Sequence, residues 1–313
     1  MNEYANNVVS VEIMRLQVPL VRPYKLAFGA VAAFDTLVVL MQADDGRWGA
    51  GEATLLTGYT DETIDGAWRD ARVLADGATG GSRAEIARKV RPIAPSAPFL
   101  ATAFMTALDA LAAHPLLQVD TSTRVPILGI LNETEPGALD DEIERLLAAG
   151  YRTLKVKVGF EVDADLARVA RIQSCVRGRA RLRLDANQGY SAQQAQRFAG
   201  SLDPAGIPLF EQPCAAGDSD PPTAAVPHST VPLMLDESIY GIDDIERAAA
   251  LGAAKYVKVK LMKLVSLDGL VEAIERIRAL GMVPVLGNGV ACDLGCWMEA
   301  CVAARHIDNA GEM

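Results

Sequence analysis

From Val125 onward, short apolar runs and helical stretches alternate with a fixed rhythm. The runs are VPILGIL (125–131), TLKVKVG (153–159), RLRLDAN (181–187), IPLFEQP (207–213), VPLMLDES (231–238), KYVKVKL (255–261) and VPVLGNG (283–289). Between them, residues 139–149, 163–176, 192–202, 243–251 and 267–280 carry helical spacing. Each run is short, rich in β-branched residues and closed by Gly, Pro or Asn, as buried parallel strands are. Seven strands roughly 25 residues apart, each followed by a helix, predict a (β/α) barrel or a doubly wound sheet, and the regular spacing favours the barrel. A barrel must close, so an eighth, partial strand is expected near His306, where the chain stops.

The chain before Val125 has a different texture. VEIMRLQVPL (11–20) and FDTLVVLMQADDGRWGAGEA (34–53) alternate as antiparallel strands do, with a turn at Asp44-Asp45-Gly46. Between them VRPYKLAFGAV (21–31) reads as a loop bearing Tyr24 and Phe28. Residues 61–76, 83–91 and 97–113 are helical in pattern. The expected organisation is an α+β unit over 1–120 and a barrel over 121–313. No low-complexity linker separates them, so the two should pack together.

A chain of 313 residues, 50% hydrophobic, can bury a large core. Its formal net charge of −10 argues against nucleic acid or an anionic membrane as partner, but not against an anionic small molecule held at a local cationic site. No signal-peptide pattern opens the sequence, and charges interrupt every apolar run well short of the ~20 residues of a membrane helix. The five cysteines include no CxxC pair, consistent with reduced thiols in the cytoplasm.

Charge collects where the strands end. Asp185 and Asn187 close the third run, Glu211 the fourth, and Asp236 with Glu237 the fifth. Lys155 and Lys157 share one face of the second, two residues apart, and Lys260 lies on the sixth. The C-terminal ends of barrel strands are where active sites form. Any one of these carboxylates alone reads as a helix cap or a salt bridge. Asp185, Glu211 and Asp236 on successive strands converge, and three carboxylates that close do not all stay ionised without a cation. An all-oxygen set with room for water and substrate suits Mg²⁺. Lys155 and Lys157 would then face Lys260 across the metal. A lysine near other cations or partly desolvated has a lowered pKa and can act as a base. A cation that holds a substrate carboxylate supports removal of the α-proton through an enediolate, the pattern the enolase-type sites use.

In this order the motifs TLKVKVG, LRLDANQGYS, LFEQP, LMLDES, VKVKLMK and VLGNG resemble the enolase superfamily, in its mandelate racemase/muconate lactonizing enzyme family and the muconate-lactonizing-enzyme-like branch. The likeness spans nearly the whole chain. It implies a modified (β/α)8 barrel with an N-terminal α+β capping domain. It further implies Asp185, Glu211 and Asp236 as Mg²⁺ ligands, Lys157 and Lys260 as the acid/base pair, and Lys155 as support for the substrate carboxylate. Asn187 and Glu237 would stand behind the ligands. Tyr24, Phe28, Leu55 and Tyr59 lie in the cap loops that cover the barrel mouth in this family, and Asn288 and Asp293 in the strand-seven loop; all six are candidate substrate contacts. Lys258 shares a face with Lys260, but only Lys260 sits where the motif has its lysine. Two departures stand out. Family members usually continue further, so the C-terminal end reads as truncated. Dipeptide epimerases of the branch usually carry paired aspartates near the strand-seven loop, whereas GNGVACDLGC has Asp293 alone, which argues against a dipeptide substrate.

The expected reaction is Mg²⁺-dependent abstraction of a proton α to a carboxylate on a small molecule, with racemisation or epimerisation of an amino-acid derivative favoured. Dehydration of a hydroxy acid or a hydroxyproline-type substrate, or a cycloisomerase, needs the same parts. A Schiff-base aldolase or a non-catalytic barrel are the competing classes; neither requires three converging carboxylates. The family also implies a homo-oligomer. His114, His228 and His306 occupy no catalytic register, Gly287-Asn288-Gly289 lies in no phosphate-binding motif, and Cys292 and Cys296 lack partners at zinc spacing.

Overall fold

The computed structural model describes residues 7–26, 29–56, 59–119, 122–215 and 229–312. The chain opens with an antiparallel sheet of β1 (Val8–Leu26), β2 (Gly29–Ala43) and β3 (Trp48–Leu55), in that order. Three helices follow: α1 (Ile64–Ala78), α2 (Arg83–Val90) and α3 (Pro98–Leu111). Thr63 caps α1 through the Gly66 N–H, and Ser82 with Glu85 forms a capping box on α2. The third helix is buried almost throughout and lies directly on β3. Glycines make that approach possible: a Cβ at Gly51 would stand 2.2 Å from the Ala103 carbonyl oxygen, and one at Gly49 2.3 Å from that of Ala107.

All seven apolar runs become strands: β4 (Gly129–Leu131), β5 (Thr153–Lys157), β6 (Arg181–Asp185), β7 (Leu209–Glu211), β8 (Leu233–Leu235), β9 (Tyr256–Val259) and β10 (Val283–Leu286). They are parallel and hydrogen-bonded in sequence order from β4 to β10. An order that never reverses excludes the doubly wound alternative and defines a barrel wall. The outer layer is α4 (Pro136–Ala148), α5 (Val162–Val176), α6 (Ala192–Ser201), α7 (Ile242–Ala250), the short α8 (Leu261–Leu264), α9 (Leu267–Ala279) and α10 (Asp293–His306). Leu154, Val156, Leu182 and Leu184 pack outward with the helices, while Lys155, Lys157, Arg183 and Asp185 take the other face of the pleat.

Closure differs from the sequence expectation in its place. Residues up to His306 are helical, and the eighth position of the wall is filled by Gly311 and Glu312. The Gly311 N–H donates to Pro126 (3.0 Å), the Leu128 N–H to Gly311 (3.1 Å) and the Glu312 N–H to Leu286 (3.1 Å). Residues 126–128 are thereby used to close the barrel, and only Gly129–Leu131 of the first apolar run pairs with β5. Among the described residues no helix is long and apolar enough to cross a membrane.

Candidate active site

The strands deliver the charged residues into one volume inside the barrel mouth. Asp185, Glu211, Asp236, Lys155, Lys258, Lys260 and Lys263 are all nearly inaccessible to solvent. Lys157 Nζ lies 2.6 Å from Asp185 Oδ2, and Lys155 Nζ lies 2.9 Å from the same atom. Lys155 also reaches Glu211 Oε2 (3.2 Å) and Glu312 Oε1 (2.7 Å). Across the lumen Lys258 meets Glu211 Oε1 (2.6 Å) and Glu312 Oε1 (2.8 Å), Lys260 meets Asp236 Oδ2 (2.8 Å), and Lys263 meets Asp236 Oδ1 (2.8 Å). β5 and β9 stand four places apart in an eight-place wall, so Lys157 and Lys260 approach from opposite sides, as the spacing implies.

Electrostatics follow from this interleaving. Burial would raise the Asp185 and Asp236 carboxyls, but their lysine partners hold both well below the usual carboxylate range. Glu211 is pushed up to about 7 by burial and by the neighbouring Asp185 charge. Burial would lower Lys155, Lys157 and Lys260; Asp185 and Asp236 outweigh it and raise all three. This reverses the expectation of lysines with lowered pKa: each has a carboxylate within 2.9 Å. Lys263 is the exception, brought down to about 8 by burial.

Asn187 accepts from Lys157 and donates to Glu237 Oε1 (3.0 Å), which links both residues to the lysine side of the site. Tyr59 reaches the site from the cap: Lys260 Nζ is 3.3 Å from its hydroxyl and 4.7 Å from its ring centroid. The Tyr240 hydroxyl donates to the Tyr59 carbonyl (2.7 Å), which ties that cap residue to the loop after β8. Leu55 is buried within the cap core. The Asn288 side chain turns toward α10, where its amide donates to Glu299 Oε2 (2.7 Å), and Asp293 is exposed in the first turn of that helix. Phe28 and the side chain of Tyr24 lie outside the described residues.

Sequence reasoning missed two side chains, Glu312 and Glu299, and weighed Lys258 and Lys263 only as alternatives in register to Lys260. Glu312 gave no signal beyond its position in the closing segment. Glu299 sits on α10, a helix the pattern did not reveal. It accepts from the Leu261 N–H (3.2 Å), next to Lys260, as well as from Asn288. Backbone strain marks the same rim. Asn187, Gln188, Gln212, Val265 and Val290 have φ between 35° and 70°, unusual for residues other than glycine, and each lies just beyond a barrel strand or the short α8.

Two observations bear on a cation. Buried Glu211 Oε2 and Glu237 Oε2 have no hydrogen-bond partner, although Lys155 Nζ stands 3.2 Å from the former. Among the described residues no three acidic, histidine or cysteine side chains lie close enough together to hold a metal ion as they stand, since lysine ammoniums are interleaved with them. The donor chemistry, all carboxylate oxygen, and the two orphaned oxygens fit a hard divalent cation.

Residues 138–310 match the Enolase C-terminal domain-like family, and the chain belongs to it. The resemblance to the mandelate racemase/muconate lactonizing enzyme family of the enolase superfamily is thereby upheld. Curated relatives include amino-acid racemases and dipeptide epimerases. The L-Ala-D/L-Glu epimerase of Clostridium acetobutylicum is 28% identical over 327 residues, covering 97% of this chain and 87% of that one. The N-succinyl-L-Arg/Lys racemase of Bacillus cereus is 23% identical over 312 residues, covering 95% and 82%. Among solved structures, the dipeptide epimerase from Enterococcus faecalis complexed with Mg and L-Leu-L-Tyr shares the fold, with a TM-score of 0.87 at 24% identity over 97% of this chain and 90% of that one.

Proposed function

We propose that this protein is a Mg²⁺-dependent racemase or epimerase acting on an amino-acid derivative by proton transfer α to its carboxylate. The observation that carries the reading is the placing of Lys157 and Lys260 on opposite sides of a lumen in which Asp185, Glu211 and Asp236 converge. Mg²⁺ held by those carboxylates would supply positive charge for the substrate carboxylate oxygens and would compete for the groups that keep Lys157 and Lys260 protonated. Lys155, beside Asp185 and Glu211, would support a substrate carboxylate. One of the two facing lysines takes the α-proton and the other returns a proton to the opposite face of the enediolate, which inverts the centre. Tyr59 borders Lys260 and would cover that side of a bound substrate.

Charge balance supports the chemistry. Five ammoniums (Lys155, Lys157, Lys258, Lys260, Lys263) interleave with five carboxylates (Asp185, Glu211, Asp236, Glu237, Glu312). A site near neutrality that gains a divalent cation is matched to an enediolate, which carries two negative charges. The lone Asp293 favours an acylated amino acid, such as the N-succinyl substrate of one relative, whereas relatives named as dipeptide epimerases favour a dipeptide, so both classes stand as candidates.

The test is solvent deuterium exchange followed by NMR, with Mg²⁺, on a panel of N-acyl amino acids, dipeptides, proline derivatives and hydroxy acids. Deuterium uptake with inversion, abolished in both Lys157→Ala and Lys260→Ala, is the expected result. Loss of the substrate to a keto acid would replace it with the dehydratase reading, and no exchange on any member would sink α-proton chemistry for these substrates.

A further inference from the structure

We infer that Glu312 is a positioning residue for Glu211, acting through a closed ring of four ionic side chains beneath the proposed cation site. The inference rests on the Mg²⁺-dependent reading above and gives Lys258 and Glu312 a place in it.

The ring alternates in sign. Lys155 Nζ is 3.2 Å from Glu211 Oε2, Glu211 Oε1 is 2.6 Å from Lys258 Nζ, Lys258 Nζ is 2.8 Å from Glu312 Oε1, and that oxygen is 2.7 Å from Lys155 Nζ. Its two cations come from opposite walls, β5 and β9, so one carboxylate from the closing segment bridges the barrel from inside. The backbone is built for this. Hydrogen bonding of the Glu312 N–H to Leu286 fixes where the carboxylate enters. A Cβ at Gly287 would fall 2.6 Å from Lys258 Cδ, so the glycine beside that contact makes room for the lysine stem. Burial alone would raise the Glu312 carboxyl; Lys155 and Lys258 hold it at about 2, ionised at any working pH.

Buried charges of this kind are costly unless paired. With Glu312 in place, the two lysines are neutralised without drawing both oxygens of Glu211 into hydrogen bonds, and Oε2 is left without a hydrogen-bond partner. Without it, Lys258 would fall back on Glu211, and Lys155 on Glu211 and Asp185, so both ammoniums would bear harder on carboxylates that must accept a cation. Glu312 thus tunes Glu211 as a ligand without needing to touch substrate.

The test is isothermal titration with MgCl₂ alone, at constant ionic strength, on the full chain and four variants: Glu312→Gln, Glu312→Asp, Lys258→Met and the double Glu312→Gln/Lys258→Met. Partners that orient metal ligands typically matter 10–100-fold, so Glu312→Gln should weaken Mg²⁺ binding by roughly tenfold or more. Glu312→Asp keeps the charge and should recover most of that loss. The double variant removes one charge of each sign and should return to within about threefold of the parent, a non-additivity that a packing role would not produce. Circular dichroism and melting temperatures confirm folding; if Glu312→Gln fails to fold, Glu312→Asp and the double variant carry the comparison. Unchanged binding in Glu312→Gln, or losses that simply add in the double variant, would overturn the ring while leaving the Mg²⁺ reading standing. A parent chain that takes up no Mg²⁺ would overturn both.

Discussion

Replacing the two facing lysines should abolish activity alike but disturb the fold very differently. Lys260 has a side chain 2% exposed, 2.8 Å from Asp236, itself 2% exposed. Truncation to alanine removes one partner of a buried pair, which costs about 3–5 kcal/mol, and leaves a void where a long stem was. Asp236 keeps Lys263 at 2.8 Å, which holds the expected cost of Lys260→Ala to about 4 kcal/mol. Lys157 is 34% exposed, and Asp185 retains Lys155 at 2.9 Å when it is removed. The expected cost of Lys157→Ala is about 1 kcal/mol. For 313 residues at ~2.1 cal/mol/K each, unfolding entropy is about 0.66 kcal/mol/K, so each kcal/mol moves Tm by ~1.5 °C. Scanning calorimetry at neutral pH should show Tm falling by about 6 °C for Lys260→Ala and by less than ~2 °C for Lys157→Ala. Lys260→Met, which refills the stem without the charge, should recover part of the difference. Equal losses for the two alanine variants would refute the burial argument.

In the cap, Gly51→Ala should destabilise by about 1–3 kcal/mol or more, because its Cβ would meet the backbone of α3 at 2.2 Å from the Ala103 oxygen and 2.4 Å from the Ala107 nitrogen. Gly137→Ala in α4, with nothing within 4 Å of the added carbon, is the control and should be neutral or stabilising; a matching loss at both sites would remove the close-packing explanation. Glu299 gives a pH signature. Burial raises its carboxyl from 4.5 to about 8, so the folded state binds the proton more tightly than the unfolded chain. Its contribution is complete below the unfolded value and lost as pH rises toward the folded one, at up to ~1.4 kcal/mol per pH unit between about 4.5 and 8. Urea unfolding across that window should give a flatter profile for Glu299→Gln than for the parent, and parallel profiles would count against a buried, proton-binding Glu299.

Short apolar runs and helical patterns carry the barrel because every strand buries both faces and every helix must cover it. That is why all seven runs became strands. Patterns failed where burial lost its period. The last helix hides Gly295, Met298, Glu299, Cys301, Val302 and Ala303, a set too wide around the axis to show a stripe. The closing strand is only Gly311 and Glu312 with their backbone bonds, too short for any window to register. Likewise, apart from Asn187, whose residue type tolerates it, positive φ at Gln188, Gln212, Val265 and Val290 leaves no trace in residue type, since none is the glycine that such backbone ordinarily selects.

The charged lumen shows where a one-dimensional reading stops. Strand-end carboxylates are legible because each follows an apolar run, and their convergence follows from the barrel. Which cation each one meets depends on partners well separated in sequence, such as Lys157 for Asp185, 28 residues away, and Lys258 for Glu211, 47 residues away. Three acids on successive strands therefore imply positive charge between them without saying whose. In this chain lysines supply it already, one of them, Lys258, lying on the same face as Lys260 and reaching deeper toward Glu211. On the Mg²⁺ reading, the affinity of the site would be a competition between the divalent ion and ammoniums tethered to the wall. A residue such as Glu312, which neutralises the tethered charge from behind, would shift that competition toward the free ion.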